Sequence, residues 1–200
     1  MRRAVGRAAV VLRDEGVRAL WFKVLGETVY RRLRLVELRP EHAVETNSEL
    51  PLSFRFLTLG DAESYARLRP GVPPPAVRER LARERCFGAW LDGRLISTRW
   101  VARGSAEIEY LGRTLELDAG DVWIADTFTD PDHRGHDVSP AAGAALARAL
   151  RSEGIERQLG GVLPENALGV RAYEQAGYRR AGAVGYVRFG RFRRDFLRRG

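Results

Sequence analysis

The residues best suited to do chemistry lie in one loop, Asp130-Pro131-Asp132-His133-Arg134-Gly135-His136-Asp137-Val138-Ser139-Pro140. It follows a strand-like run, DVWIADTFT, and opens into the alanine-rich run PAAGAALARALRSEG. In that run Ser139 is expected at the N-cap, Pro140 at the first helical position and Gly154 just past the end. The first turn of such a helix leaves N–H groups without intrahelical partners, and its dipole adds partial positive charge. Arg134 and His136 stand beside it, so the loop reads as a cradle for a phosphate or diphosphate. The three histidines, His42, His133 and His136, have no metal-ligand spacing, and no metal is expected. The single cysteine, Cys86 in CFGAWL, cannot form an internal disulfide and reads as a buried strand thiol.

Two further segments complete the unit. RQLGGVL, residues 157 to 163, reads as a buried strand, so strand, helix and strand form a right-handed crossover between parallel strands. Pro164-Glu165-Asn166 then leads into ALGVRAYEQAGY, a short helix stopped by Gly177 with Tyr178 as the hydrophobic contact behind it. In this second segment Asn166, Tyr173, Glu174, Gly177 and Tyr178 carry a specific spacing. With Pro131 and Arg134-Gly135 upstream, the pair of motifs resembles the GNAT family of acetyl-CoA-dependent N-acyltransferases over about residues 52 to 190.

The resemblance implies an α/β fold with a central mixed, mostly antiparallel sheet, one parallel crossover and helices on both faces. It implies acetyl-CoA or another acyl-CoA as co-substrate, held at Arg134, Gly135, His136, Asp137, Val138, Ser139 and Asn166 and along the main chain of Phe128, Thr129 and Asp130. Tyr173 matches the tyrosine that protonates the departing coenzyme A sulfur. The expected reaction is transfer of an acetyl or other short acyl group to a primary amine of a small molecule or protein. The alternative is a non-catalytic module of the same fold that binds membrane or a partner protein through its basic ends.

Asp126 is a candidate base. Alternation along DVWIADTFTD places Asp121, Trp123, Ala125, Thr127 and Thr129 on one face and Val122, Ile124, Asp126 and Phe128 on the other. A carboxylate on that second, more apolar face is partly desolvated, which raises its proton affinity. A satisfied structural aspartate is the competing reading. Asp121 and Glu109 are further candidates, and deprotonation relayed by water is common in the family. The loop departs from the family pattern where Asp137 and Ser139 replace glycines. Aspartate tolerates left-handed backbone, but its charge faces the same phosphates.

The positioning elements can be read around this unit. A strand, Leu52 to Thr58, precedes a helical stretch through Arg69, a stiff turn PGVPPP and a second helix from Ala76 to Glu84. CFGAWL and RLISTRWVA flank Asp92-Gly93 as a hairpin, and AEIEYLG and RTLELD flank Gly112 as another. This second hairpin either lids the acceptor side or extends the sheet. The tail closes the sheet with one or two strands. Residues 16 to 34 carry the apolar stripe of an amphipathic helix, and residues 36 to 50 read as a linker. The expected organisation is therefore a basic helical extension over residues 1–50 and an acyltransferase domain over 51–200.

The net charge of +8 is concentrated at the ends. Residues 1 to 40 hold ten basic and four acidic side chains, and residues 179 to 200 hold eight and one. The N-terminal stripe either packs on the domain or makes a peripheral contact with an anionic membrane. The basic, Phe-containing tail suits a second subunit, giving a homodimer, or the N-terminal region. Nucleic acid is not expected, because no recognition helix or aromatic platform accompanies it. With no spanning run and no signal peptide in the sequence, the expected location is the cytoplasm, at the inner membrane surface if the helix binds lipid.

Overall fold

The computed structural model describes residues 30–199, and its first element already belongs to the sheet. Strand β1 (Tyr30–Leu38) lies between two later strands, β8 (Arg157–Val162) and β9 (Arg179–Phe189), antiparallel to both. Residues 30–34 of the expected helix are therefore strand, and the linker expected from residue 36 begins inside β1. The physical reason is visible in YRRLRLVEL: Leu33 and Leu35 alternate with arginines, and that period of two outweighs the helical stripe once sheet partners exist. The expected helix over residues 16–29 lies outside the described residues.

The other strands are β2 (Ser53–Phe56), β3 (Arg85–Leu91), β4 (Arg94–Ala102), β5 (Ser105–Ile108), β6 (Arg113–Glu116), β7 (Asp121–Thr129) and β10 (Phe192–Arg199). Eight of the strands form one sheet in the order β10-β9-β1-β8-β7-β4-β3-β2. Every neighbouring pair is antiparallel except β7 with β8, the expected crossover. Helix α3 (Val138–Ser152) makes that crossover and buries Leu146 and Leu150 against Val122 and Ile124 of β7. Helix α4 (Ala167–Gln175) packs on the same face, where Val170 and Tyr173 meet Val36, Val162 and Tyr178.

The opposite face carries α1 (Ala62–Leu68) and α2 (Pro74–Leu81) over Cys86, Trp90, Leu95 and Trp100. Helix α2 starts two residues before the expected Ala76, because Pro74 and Pro75 occupy its first turn, where no amide is needed. The β5–β6 hairpin forms its own two-stranded sheet and packs Ile108, Leu111 and Leu115 against Leu33, Leu35 and Trp123, instead of lengthening the main sheet. Cys86 is fully buried, and that burial pushes its thiol pKa up. No helix among the described residues is long and apolar enough to cross a membrane.

Candidate active site

The site forms where the two parallel strands part. β7 and β8 pair only from Asp121 opposite Arg157 to Ile124 opposite Gly160, although β7 continues to Thr129. A bulge explains the parting. The β4 register jumps from Trp100 opposite Ala125 to Thr98 opposite Phe128, and Asp126 takes φ 45°. An extra residue on one strand bends it and raises its twist, so β7 stays with β4 and leaves β8. The Asp130 N–H donates to the Ile96 carbonyl at 2.8 Å. By alternation the Thr129 peptide groups then face away from β4, and the Thr129 carbonyl accepts from Arg134 Nε at 3.3 Å. The Phe128 carbonyl faces β4 and accepts from Ser97 Oγ at 2.8 Å.

The loop beyond β7 turns the chain into α3. The Asp130 carboxylate is mostly buried; it accepts from the Asp132 N–H at 3.2 Å and pairs with Arg94 at 3.0 Å, fixing the turn at Pro131–His133. Gly135 has φ 85° and Asp137 φ 53°, so Asp137 does adopt the left-handed backbone of a glycine position. Helix α3 begins at Val138 with Asp137 as N-cap, not at Pro140 with Ser139 as N-cap. No side chain among the described residues caps it, which leaves first-turn amides open to an anion. Val138 is buried in the core, whereas His136 is exposed, its Nδ1 3.0 Å from Glu49 Oε2. Ser139 turns inward instead of capping: its hydroxyl and its carbonyl both accept from Arg99 Nη2, the former at 2.9 Å.

Tyr173 stands over the end of the parallel pairing. A Cβ on Gly160 would lie 3.1 Å from the Tyr173 hydroxyl, so the missing side chain at Gly160 gives the phenol its place. The ring meets Tyr178 edge-on at 4.9 Å. Burial pushes the Tyr173 pKa up, while nearby Arg99 pulls it the other way, and the phenol keeps its proton. Asn166 accepts from the Gly169 N–H at 2.9 Å and caps α4.

Asp126 lies on the other face of the sheet from the one expected. The bulge turns it away from Val122 and Ile124 toward α1 and α2, where Arg69 and Arg80 each reach it at 3.0 Å and Tyr65 Oη lies 3.5 Å away. Its side chain is 31% exposed, and both oxygens are engaged by guanidinium groups. Arg80 also stacks 4.0 Å over Trp100, and Arg69 4.5 Å over Phe128. Asp121 is tied to Arg157 in a two-point ion pair near the start of β7, well before the parting, and Glu109 sits in the β5–β6 turn. Two recesses on the described surface lie elsewhere. One of about 250 Å³ is lined by Leu35, Glu37, Asp121 and Arg157, and one of about 310 Å³ by Ser64, Arg67, Asp92 and Arg94. The cleft is thus marked by the end of the β7–β8 pairing more than by an enclosed hollow.

Sequence reasoning missed Arg99 and its companion Gly143. The signal was a cation inside the buried strand RLISTRWVA and a glycine inside an alanine-rich helix.

A parallel strand pair that parts beside an uncapped helix start, with a phenol over the gap, defines an α/β fold of the acyl-coenzyme A N-acyltransferase class. The acetyltransferase (GNAT) family model matches residues 55–178, more than half of the chain, and the chain belongs to that family. A GCN5-related N-acetyltransferase from Kribbella flavida has a TM-score of 0.53 and 15% identity over 85% of this chain and 62% of its own. Aminoglycoside N-acetyltransferase AAC(6')-Iy, in complex with CoA, has a TM-score of 0.50 and 18% identity over 72% of this chain and 100% of its own. A functionally unknown conserved protein from Staphylococcus epidermidis has a TM-score of 0.56 and 10% identity over 82% of this chain. The chain spans 64% of that protein's length. No curated protein matches the chain by sequence. At these identities the likeness is one of fold.

Proposed function

We propose that the protein transfers a short acyl group from an acyl-coenzyme A, acetyl-CoA in the simplest case, to a primary amine. The observation that carries this reading is the Tyr173 phenol above Gly160, where β7 and β8 part. The open amides at the start of α3, with Arg134 and His136, receive the diphosphate. The free edge of β7 around Thr129 receives the pantetheine arm by backbone hydrogen bonds, and a β7 amide stabilises the oxyanion. The amine nitrogen attacks the thioester carbon, the carbon–sulfur bond breaks, and Tyr173 gives its proton to the departing thiolate. The ammonium proton leaves to water, because Asp126 is engaged by Arg69 and Arg80, and the Tyr173 phenolate regains a proton from water. The amine approaches from the side of α1 and α2.

The test is thiol release from acetyl-CoA with a panel of small-molecule and peptide amines. Tyr173→Phe is expected to lower kcat on the order of 100-fold while coenzyme A still raises the melting temperature. No thermal shift with coenzyme A in the unmodified protein would reject the enzyme and favour the non-catalytic alternative. An unchanged kcat in the variant would reject Tyr173 as the acid.

A further inference from the structure

Among the described residues, nothing balances the charge of Arg99. It is 8% exposed, and no carboxylate among the described residues forms an ion pair with it. Nη2 donates to the Ser139 carbonyl and hydroxyl, while Nε is buried without a partner. The fold makes deliberate room for this group. A Cβ at Gly143 would lie 2.8 Å from Arg99 Nη1, so the alanine-rich helix carries a glycine where it passes the guanidinium. An isolated buried cation is strongly unfavourable unless an anion joins it. Burial lowers the Arg99 pKa, with Tyr178 and Tyr173 acting the other way, and a guanidinium in protein stays charged.

The position of the charge says which anion it awaits. Arg99 lies at the bulge of β7, between the Thr98–Phe128 and Trp100–Ala125 pairs, and its guanidinium reaches α3 at Ser139 and Gly143. The loop groups offered to the diphosphate, Arg134 and His136, are exposed, whereas Arg99 is buried. We propose that Arg99 selects the acyl group, receiving the far carboxylate of a short dicarboxylic acyl chain whose thioester lies at the parting of β7 and β8. This rests on the acyltransferase reading above. The chemistry of the transfer is unchanged; the acyl group simply carries a free terminal carboxylate that pairs with the guanidinium and leaves attached to the amine.

Calorimetry with coenzyme A, acetyl-CoA, butyryl-CoA and succinyl-CoA tests it. The two four-carbon chains differ in the terminal carboxylate. Succinyl-CoA is expected to bind the unmodified protein at least tenfold more tightly than butyryl-CoA, and Arg99→Met to abolish that preference while leaving coenzyme A affinity unchanged. Equal binding of the two in the unmodified protein overturns the inference without any variant and leaves the acyltransferase reading standing. An equal loss for all four ligands in Arg99→Met also overturns it, since the cation would then serve a coenzyme phosphate. If none of the four binds, the acyltransferase reading falls and the inference with it.

Discussion

At Asp137 a side chain stands where a glycine would carry no cost. Its φ of 53° is a conformation that costs an L-residue about 1–2 kcal/mol, less for aspartate, and its carboxylate adds negative charge at the helix start proposed to seat the diphosphate. Asp137→Gly removes both penalties, and coenzyme A is expected to bind about fivefold or more tightly by calorimetry; unchanged or weaker binding would sink this account. The loop was legible because its glycine, proline and arginine report backbone needs at fixed spacing. Arg99 was not, because its partner Ser139 is 40 residues away. Burial, with Tyr173 adding to it, holds the Tyr178 pKa above the ordinary tyrosine value of about 10. The folded state then keeps a proton that the unfolded chain releases. The stability from this group is complete below about pH 10 and is lost as pH rises toward the folded value. The urea midpoint should fall from about pH 9.5 to 11, and Tyr178→Phe should flatten that fall.

Among the elements, α3 and β7 show where local pattern succeeds and where it stops. The α3 run was readable from its composition, but its start was misplaced because Ser139, the residue best suited to cap it, bonds Arg99. The face of Asp126 was misassigned for a similar reason: alternation assumes an unbroken pleat, and the bulge adds a residue that no local signal announces. Gly143 turns this interdependence into a measurement. By helix propensity alone, Gly143→Ala should stabilise α3 by up to about 1 kcal/mol. Against Arg99 it should destabilise, since the new methyl meets the guanidinium at 2.8 Å. In an Arg99→Met background the same change should become stabilising. Denaturation of the four proteins gives the cycle, and additive effects would show that Gly143 does not make room for Arg99.

For the whole molecule, the decisive fact is that the sheet takes its ninth-to-eighth strand junction from the start of the described chain. β9 and β8 do not touch as partners; β1 stands between them and hydrogen-bonds to both. The sequence suggested a boundary near residue 50, because residues 36–50 lack periodicity and the charge changes sign around them, yet neither feature reports a strand whose partners lie more than 100 residues away. Trimming to residues 51–200 removes Leu33, Leu35, Val36 and Leu38, all buried. Each such side chain contributes about 1.5–3 kcal/mol when fully buried, and a domain's net stability is about 5–15 kcal/mol. It also leaves facing edges on β8 and β9 without hydrogen-bond partners, an invitation to aggregate. The 51–200 fragment should therefore fail to give the cooperative melt of the full chain. A cooperatively folded 51–200 fragment would show that β1 is dispensable to the sheet.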